Sequence, residues 1–172
     1  MENLNLILPE IFLSISIFIA LLLGVFFKNS YNLISKTSYI ILIALILIII
    51  NSFNVSGKLF SESFVINSYV NFFKVLILAG TLFIMIISQN YIRDMKINYF
   101  EYPLLILLSV LGMFIMIGAN DLILFYLGLE LQSLALYILA SLNRDNLKSN
   151  ESGLKYFVLG ALSSGLLLYG CS

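Results

Sequence analysis

The sequence predicts an all-α, polytopic membrane protein of about six transmembrane helices, and three observations predict it. Of the 172 residues, 61% are hydrophobic and only 10% are charged, and the mean hydropathy is +1.06. A soluble domain of this size devotes roughly a quarter of its residues to charge. The nine Lys plus Arg and nine Asp plus Glu fall between apolar runs long enough to cross a hydrocarbon core of about 30 Å, which takes about 20 helical residues. Period-two alternation is missing from those runs, which argues against a β-barrel. A net charge of zero, no His or Trp, and the single Cys171 exclude nucleic acid as a partner, a disulfide framework and a Cys/His metal cluster.

The first helix is expected near Leu8–Phe27. Glu2 and Glu10 accompany it, no Lys or Arg precedes it, and its apolar run is too long for a signal peptide, so it reads as retained. Further windows between charges place helices near Ser38–Phe53, Tyr69–Ser88, Tyr102–Ala119, Leu122–Leu142 and Ser152–Ser172. Pro9 and Pro103 sit at helix starts, where a missing N–H costs little. Asn120 and Asp121 read as the cap of the fifth helix, and Ser149 to Glu151 as that of the sixth.

The 1–2, 3–4 and 5–6 connections hold Lys28, Lys36, Arg93, Lys96, Arg144 and Lys148, with Lys155 at their border, against Lys58 and Lys74 on the other side. Positive loops stay on the side of synthesis, so the N-terminus is expected outside, and the C-terminus with it after six crossings. The last apolar run ends Leu166-Leu-Leu-Tyr-Gly-Cys-Ser with no polar tail, which suggests a piece of a longer protein.

The fifth helix carries Glu130 as its only charge. At about 1.5 Å per residue Glu130 lies about 12 Å from the outer end and about 16 Å from the inner one, beyond the reach of snorkelling. An ionisable group at mid-membrane normally faces protein or water and marks a function. Glu130 is therefore the candidate for taking up and releasing a proton, the other reading being a neutral carboxyl that bonds a neighbouring helix. Tyr126, Glu130, Ser133 and Tyr137 follow an i, i+4, i+7, i+11 pattern and share one helix face. Such a stripe suits a short water chain, or equally hydrogen bonds that hold helices together.

Lys155 is expected about four residues inside the sixth helix. It either snorkels to the inner interface or partners Glu130 across a depth difference of about 10 Å, as a water-bridged or switchable pair. Lys74, near the outer end of the third helix, is expected to be a snorkelling anchor and stays a possible site residue. Gly160-x-x-x-Ser164 and Ala161-x-x-x-Gly165 offer close-packing surfaces in the sixth helix.

Three blocks carry a resemblance. They are Phe100-Glu-Tyr-Pro-Leu-Leu-Ile-Leu-Leu-Ser-Val-Leu-Gly-Met, Asn120-Asp121-Leu with Tyr126-Leu-Gly-Leu-Glu-Leu-Gln-Ser-Leu, and Gly153-Leu-Lys-Tyr-Phe-Val-Leu-Gly-Ala-Leu-Ser-Ser-Gly. They resemble the antiporter-like subunit N of bacterial NADH:quinone oxidoreductase, equivalent to mitochondrial NADH dehydrogenase subunit 2. The similarity is close from Phe72, with Phe72-Phe-Lys-Val-Leu-Ile-Leu, and looser over the first two helices.

The resemblance implies a subunit of the membrane arm of respiratory complex I, and the N-terminal part of an antiporter-like inverted-repeat fold. Residues 1–101 would hold three N-terminal helices, and 102–172 the start of the first repeat, incomplete after helices 4–6. Glu130 and Lys155 map onto the family's proton-path residues, with Tyr126, Ser133 and Tyr137 as supporting polar face. The partners implied are the lipid bilayer, the other membrane-arm subunits and a second polypeptide or missing C-terminal part. NADH, FMN, iron-sulfur clusters and quinone are expected elsewhere in the complex and no cofactor in this chain. The membrane implied is the bacterial or mitochondrial inner membrane. A cation/proton antiporter subunit of the same fold and a non-transporting structural subunit remain the competing readings.

Overall fold

A computed structural model describes residues 6–27, 30–94 and 99–171; Glu2, Lys28, Lys96 and Ser172 lie outside them. Among the described residues six helices span the chain in order: α1 (Leu8–Phe26), α2 (Ser30–Asn51), α3 (Ser68–Asp94), α4 (Glu101–Gly118), α5 (Leu122–Ala140) and α6 (Leu147–Cys171). All six are long and apolar enough to cross a membrane, as the composition predicts.

Three boundaries differ from expectation for one reason. The apolar windows end at charges, whereas a helix continues until its backbone bonds run out, and long cationic side chains at its ends reach toward water. So α2 begins at Ser30 and carries Lys36, α3 runs on through Arg93 to Asp94, and α6 begins at Leu147. Accordingly Asn146, not the Ser149 to Glu151 stretch, caps α6: its Oδ1 accepts from the Lys148 N–H at 2.9 Å. Asp121 caps α5 as expected, accepting from Ile123 N at 3.4 Å.

Helix α4 is the centre of the bundle. It packs on α1, α2, α3 and α5, and half of its span is buried inside the protein. Leu13 of α1, Leu42 and Leu45 of α2, Leu78 and Met85 of α3, and Leu107, Val110 and Phe114 of α4 make one continuous core. Between lipid-soaked helices apolar burial gives no net drive, so close backbone approach and packing decide which pairs hold. The α4–α5 pair meets this requirement at two glycines. A Cβ on Gly112 would stand 2.6 Å from the Gln132 backbone N, and one on Gly128 would stand 2.7 Å from that of Met116. By contrast α6 packs mainly on α5, and Gly153 is its one buried residue among those described.

The connection between α2 and α3, expected as a polar loop in an all-α chain, instead folds as an antiparallel hairpin. Its strands are β1 (Gly57–Leu59) and β2 (Phe64–Ile66), with Gly57 opposite Ile66 and Leu59 opposite Phe64. Phe60, Ser61 and Glu62 turn it with φ of 52, 55 and 73°. Leu59, Phe64 and Ile66 bury together with Leu6, Ile7 and Leu124. Asn120 then ties the α4–α5 link to the hairpin through its N–H to Ser63 O (2.8 Å) and its side chain to Glu62 O (3.0 Å).

One end of the bundle thus gathers the start of α1, the hairpin and the α4–α5 link. At the other end Arg144 meets Glu101 at 3.4 Å, and Phe100 packs on Ala20, Ile34 and Leu104. This is the alternation of ends that charge counting predicts.

Candidate functional site: the polar face of α5

The α4-facing side of α5 is set by Gly128 and Gln132. By helical geometry Tyr126, Glu130, Ser133 and Tyr137 fall on the opposite side, and α6 lies there. Tyr137 is buried and stacks edge-on against Tyr156 and Phe157 of α6, with ring centroids 4.8 and 5.7 Å away. Its hydroxyl lies over Gly160, where any Cβ would collide with it. Gly160 therefore serves the close packing that its spacing predicts, while Gly165 meets nothing within 4 Å. At the other end of the stripe Tyr126 lines an apolar cleft with Leu167, Leu168 and Cys171 of α6.

Glu130 sits between these two contacts. Its side-chain Oε2 is buried and has no hydrogen-bond partner among the described residues. The Ser133 hydroxyl donates to the Glu130 backbone carbonyl at 3.0 Å, so it satisfies the helix rather than the carboxyl. The stripe is thus one face, as its spacing predicts, with an uncommitted acid in the middle and aromatic rings at both ends.

Lys155 makes no direct ion pair with Glu130, as the depth difference leads one to expect: its ammonium bonds Glu151 one turn earlier at 2.6 Å, both side chains being exposed. With α6 beginning at Leu147, Lys155 stands in its third turn, and an i, i+4 acid on the same helix is nearer than any group on α5. Lys74, however, is not the expected snorkelling anchor. It is fully buried, bonded to Glu10 of α1, with its Nζ 5.6 Å from the ring centroids of Phe64 and Phe114. Reaching water would carry it past the hairpin that closes this end, and Glu10 supplies a counter-charge inside. Glu10 was legible only as a charge beside the first helix; nothing in the spacing of two residues on different helices announces a pair.

An acid uncommitted inside a membrane helix, on a helix pair held at backbone distance, fits a class of ion-translocating membrane subunits. In agreement, residues 119–172 match the family model described as "NADH:quinone oxidoreductase/Mrp antiporter, TM". NADH-quinone oxidoreductase subunit N of Pelagibacter ubique is 57% identical over 173 residues, covering 100% of this chain and 37% of the relative. Its counterpart in Bartonella bacilliformis is 46% identical over 171 residues, covering 99% and 35%. A chain of the structure described as "Respiratory complex I from Thermus thermophilus with bound Aureothin" is similar with a TM-score of 0.78 at 25% identity, covering 94% of this chain and 35% of that one.

The chain belongs to the NADH-quinone oxidoreductase subunit N family. It spans about a third of the length of the relatives it matches.

Proposed function

We propose that this chain works as part of a membrane-arm subunit of a proton-pumping NADH:quinone oxidoreductase, and that Glu130 takes up and releases a translocated proton. The observation that carries the reading is the buried, unpartnered Oε2 of Glu130 on a membrane-spanning helix, because an ionisable group in such a place is costly and is kept for function. An oxygen that accepts no protein hydrogen bond is free to take a proton or to join a water chain along the Tyr126, Ser133 and Tyr137 face.

Lys155 has the role of a movable charge. Its bond to Glu151 is solvent-exposed on both sides, and exposed pairs of this kind contribute at most about 1 kcal/mol. The ammonium can therefore leave Glu151 at little cost; since Gly153 and Gly160 are the residues of α6 that meet α5, Lys155 lies on the opposite face and offers its charge to the helices that complete the subunit. Residues 102–172 form the beginning of an antiporter-like repeat, which other helices of the subunit complete against the uncovered faces of α6. NADH, FMN, iron-sulfur clusters and quinone are handled by other subunits of the complex. The relatives named above are bacterial, which favours the bacterial inner membrane.

A cation/proton antiporter subunit is the second reading, since the matching family model names both groups; the identity to subunit N over the whole chain favours the first. Glu130→Gln tests the proposal, because it keeps volume and hydrogen bonding but cannot ionise. In membranes containing the complete enzyme the variant is expected to assemble while the proton gradient formed per quinone reduced falls. Wild-type pumping by Glu130→Gln would leave α5 as a scaffold only.

A further inference from the structure

A second buried carboxyl stands away from the α5 face. Glu10 is in the first turn of α1, and Lys74 lies about 9 Å inside the start of α3. The pair sits under the hairpin, where Phe64 packs against Gly118. Phe114 of α4 faces Lys74, while Gly112 of the same helix faces α5, so α4 separates this pair from Glu130.

Its bonding is lopsided. Glu10 Oε1 accepts from Lys74, but Oε2 is buried with no hydrogen-bond partner among the described residues. The ammonium has that one carboxylate oxygen and two aromatic faces, Phe64 and Phe114. A buried ion pair kept for stability needs its remaining lone pairs and protons satisfied, and even then it often stabilises no more than apolar residues would. Two ring faces, however, hold an ammonium whether or not the carboxylate is charged. That combination leaves Glu10 free to change its charge while Lys74 stays in place.

We infer that Glu10 is a second proton-accepting site of this subunit, at the hairpin end of the bundle, with Lys74 as its positioning residue. In the loading step a hydronium arriving from within the bundle gives its proton to Oε2, a water is left, and the carboxylate becomes a neutral acid. The ammonium then rests on Phe64 and Phe114. In unloading, a water at the hairpin end takes the proton from Oε2 as hydronium, and the ion pair re-forms. The inference rests on the reading that the assembled subunit moves protons.

The test uses the complete enzyme in its membrane, comparing Glu10→Gln, Lys74→Arg and the apolar double variant Glu10→Leu/Lys74→Met with Glu130→Gln. The double variant guards against misfolding, because buried ion pairs are commonly replaceable by apolar side chains. Assembled complex, quinone-reductase rate and proton gradient per quinone reduced are read for each. Glu10→Gln and the double variant are expected to assemble and to lose gradient per quinone, while Lys74→Arg, which keeps a cation between the rings, retains it.

A wild-type gradient in the assembled double variant would overturn the inference. So would failure of the double variant to assemble, which would make the pair a fastening between α1 and α3. Loss in the Glu10 variants with normal pumping by Glu130→Gln would instead reject the α5 proposal and leave this one standing.

Discussion

At Gly112 and Gly128 the two helix backbones come within reach of each other, and no side chain larger than hydrogen fits between. Gly128→Ala would put a methyl 2.7 Å from the Met116 backbone N, so α4 and α5 must part. Overpacking of this kind costs about 1–3 kcal/mol. The thermal midpoint of the purified protein in detergent is expected to fall for Gly128→Ala and to stay put for Gly165→Ala, where the new methyl meets nothing within 4 Å. Equal midpoints would show that α4 and α5 part to admit a methyl at no cost. Glu130 was legible at this scale, because one charge in a long apolar run is visible without any structure. The Glu10–Lys74 pair was not, because it depends on how α1 and α3 lie beside each other.

Among the elements, the hairpin is the one that apolar windows miss. Three residues per strand are too few for alternation to stand out, and Lys58, Ser61 and Glu62 make the segment read as an ordinary loop. What folds it is tertiary: Leu59, Phe64 and Ile66 find Leu6, Ile7 and Leu124, and Asn120 bonds its turn. Phe64→Ala should therefore loosen the whole hairpin, at a cost on the order of 3–5 kcal/mol if the site does not collapse. Amide hydrogen exchange is expected to accelerate at Leu59 and Ile66 and to remain slow in the core of α4. Unchanged protection in the hairpin would mean that its backbone ladder suffices alone. The helices themselves were legible in number and order, since length and hydropathy set both; their ends were not, because Lys36, Arg93 and Lys148 ride on helices rather than interrupting them.

For the whole molecule, the two ends differ in charge as well as in structure. Arg93, Arg144 and Lys148 gather at one end and Lys58 at the other, which predicts that the hairpin end faces outward. In a Cys171→Ser background, a cysteine at Ser56 should react with an impermeant reagent added outside intact cells, and one at Asn146 should be spared. The opposite labelling would invert the orientation. The bundle is also uneven in how tightly it is joined. Two rods that touch along their backbones can neither roll nor shear past each other without collision, so α4 and α5 travel together, their link tied to the hairpin by Asn120. The seam between α5 and α6 is made of rings and small residues, Tyr137 on Gly160 and Ser141 on Gly153, and rings can slide. Compliance is therefore concentrated in that single seam: spin labels bridging α4 and α5 should report one narrow distance during turnover, and labels bridging α5 and α6 a broad one.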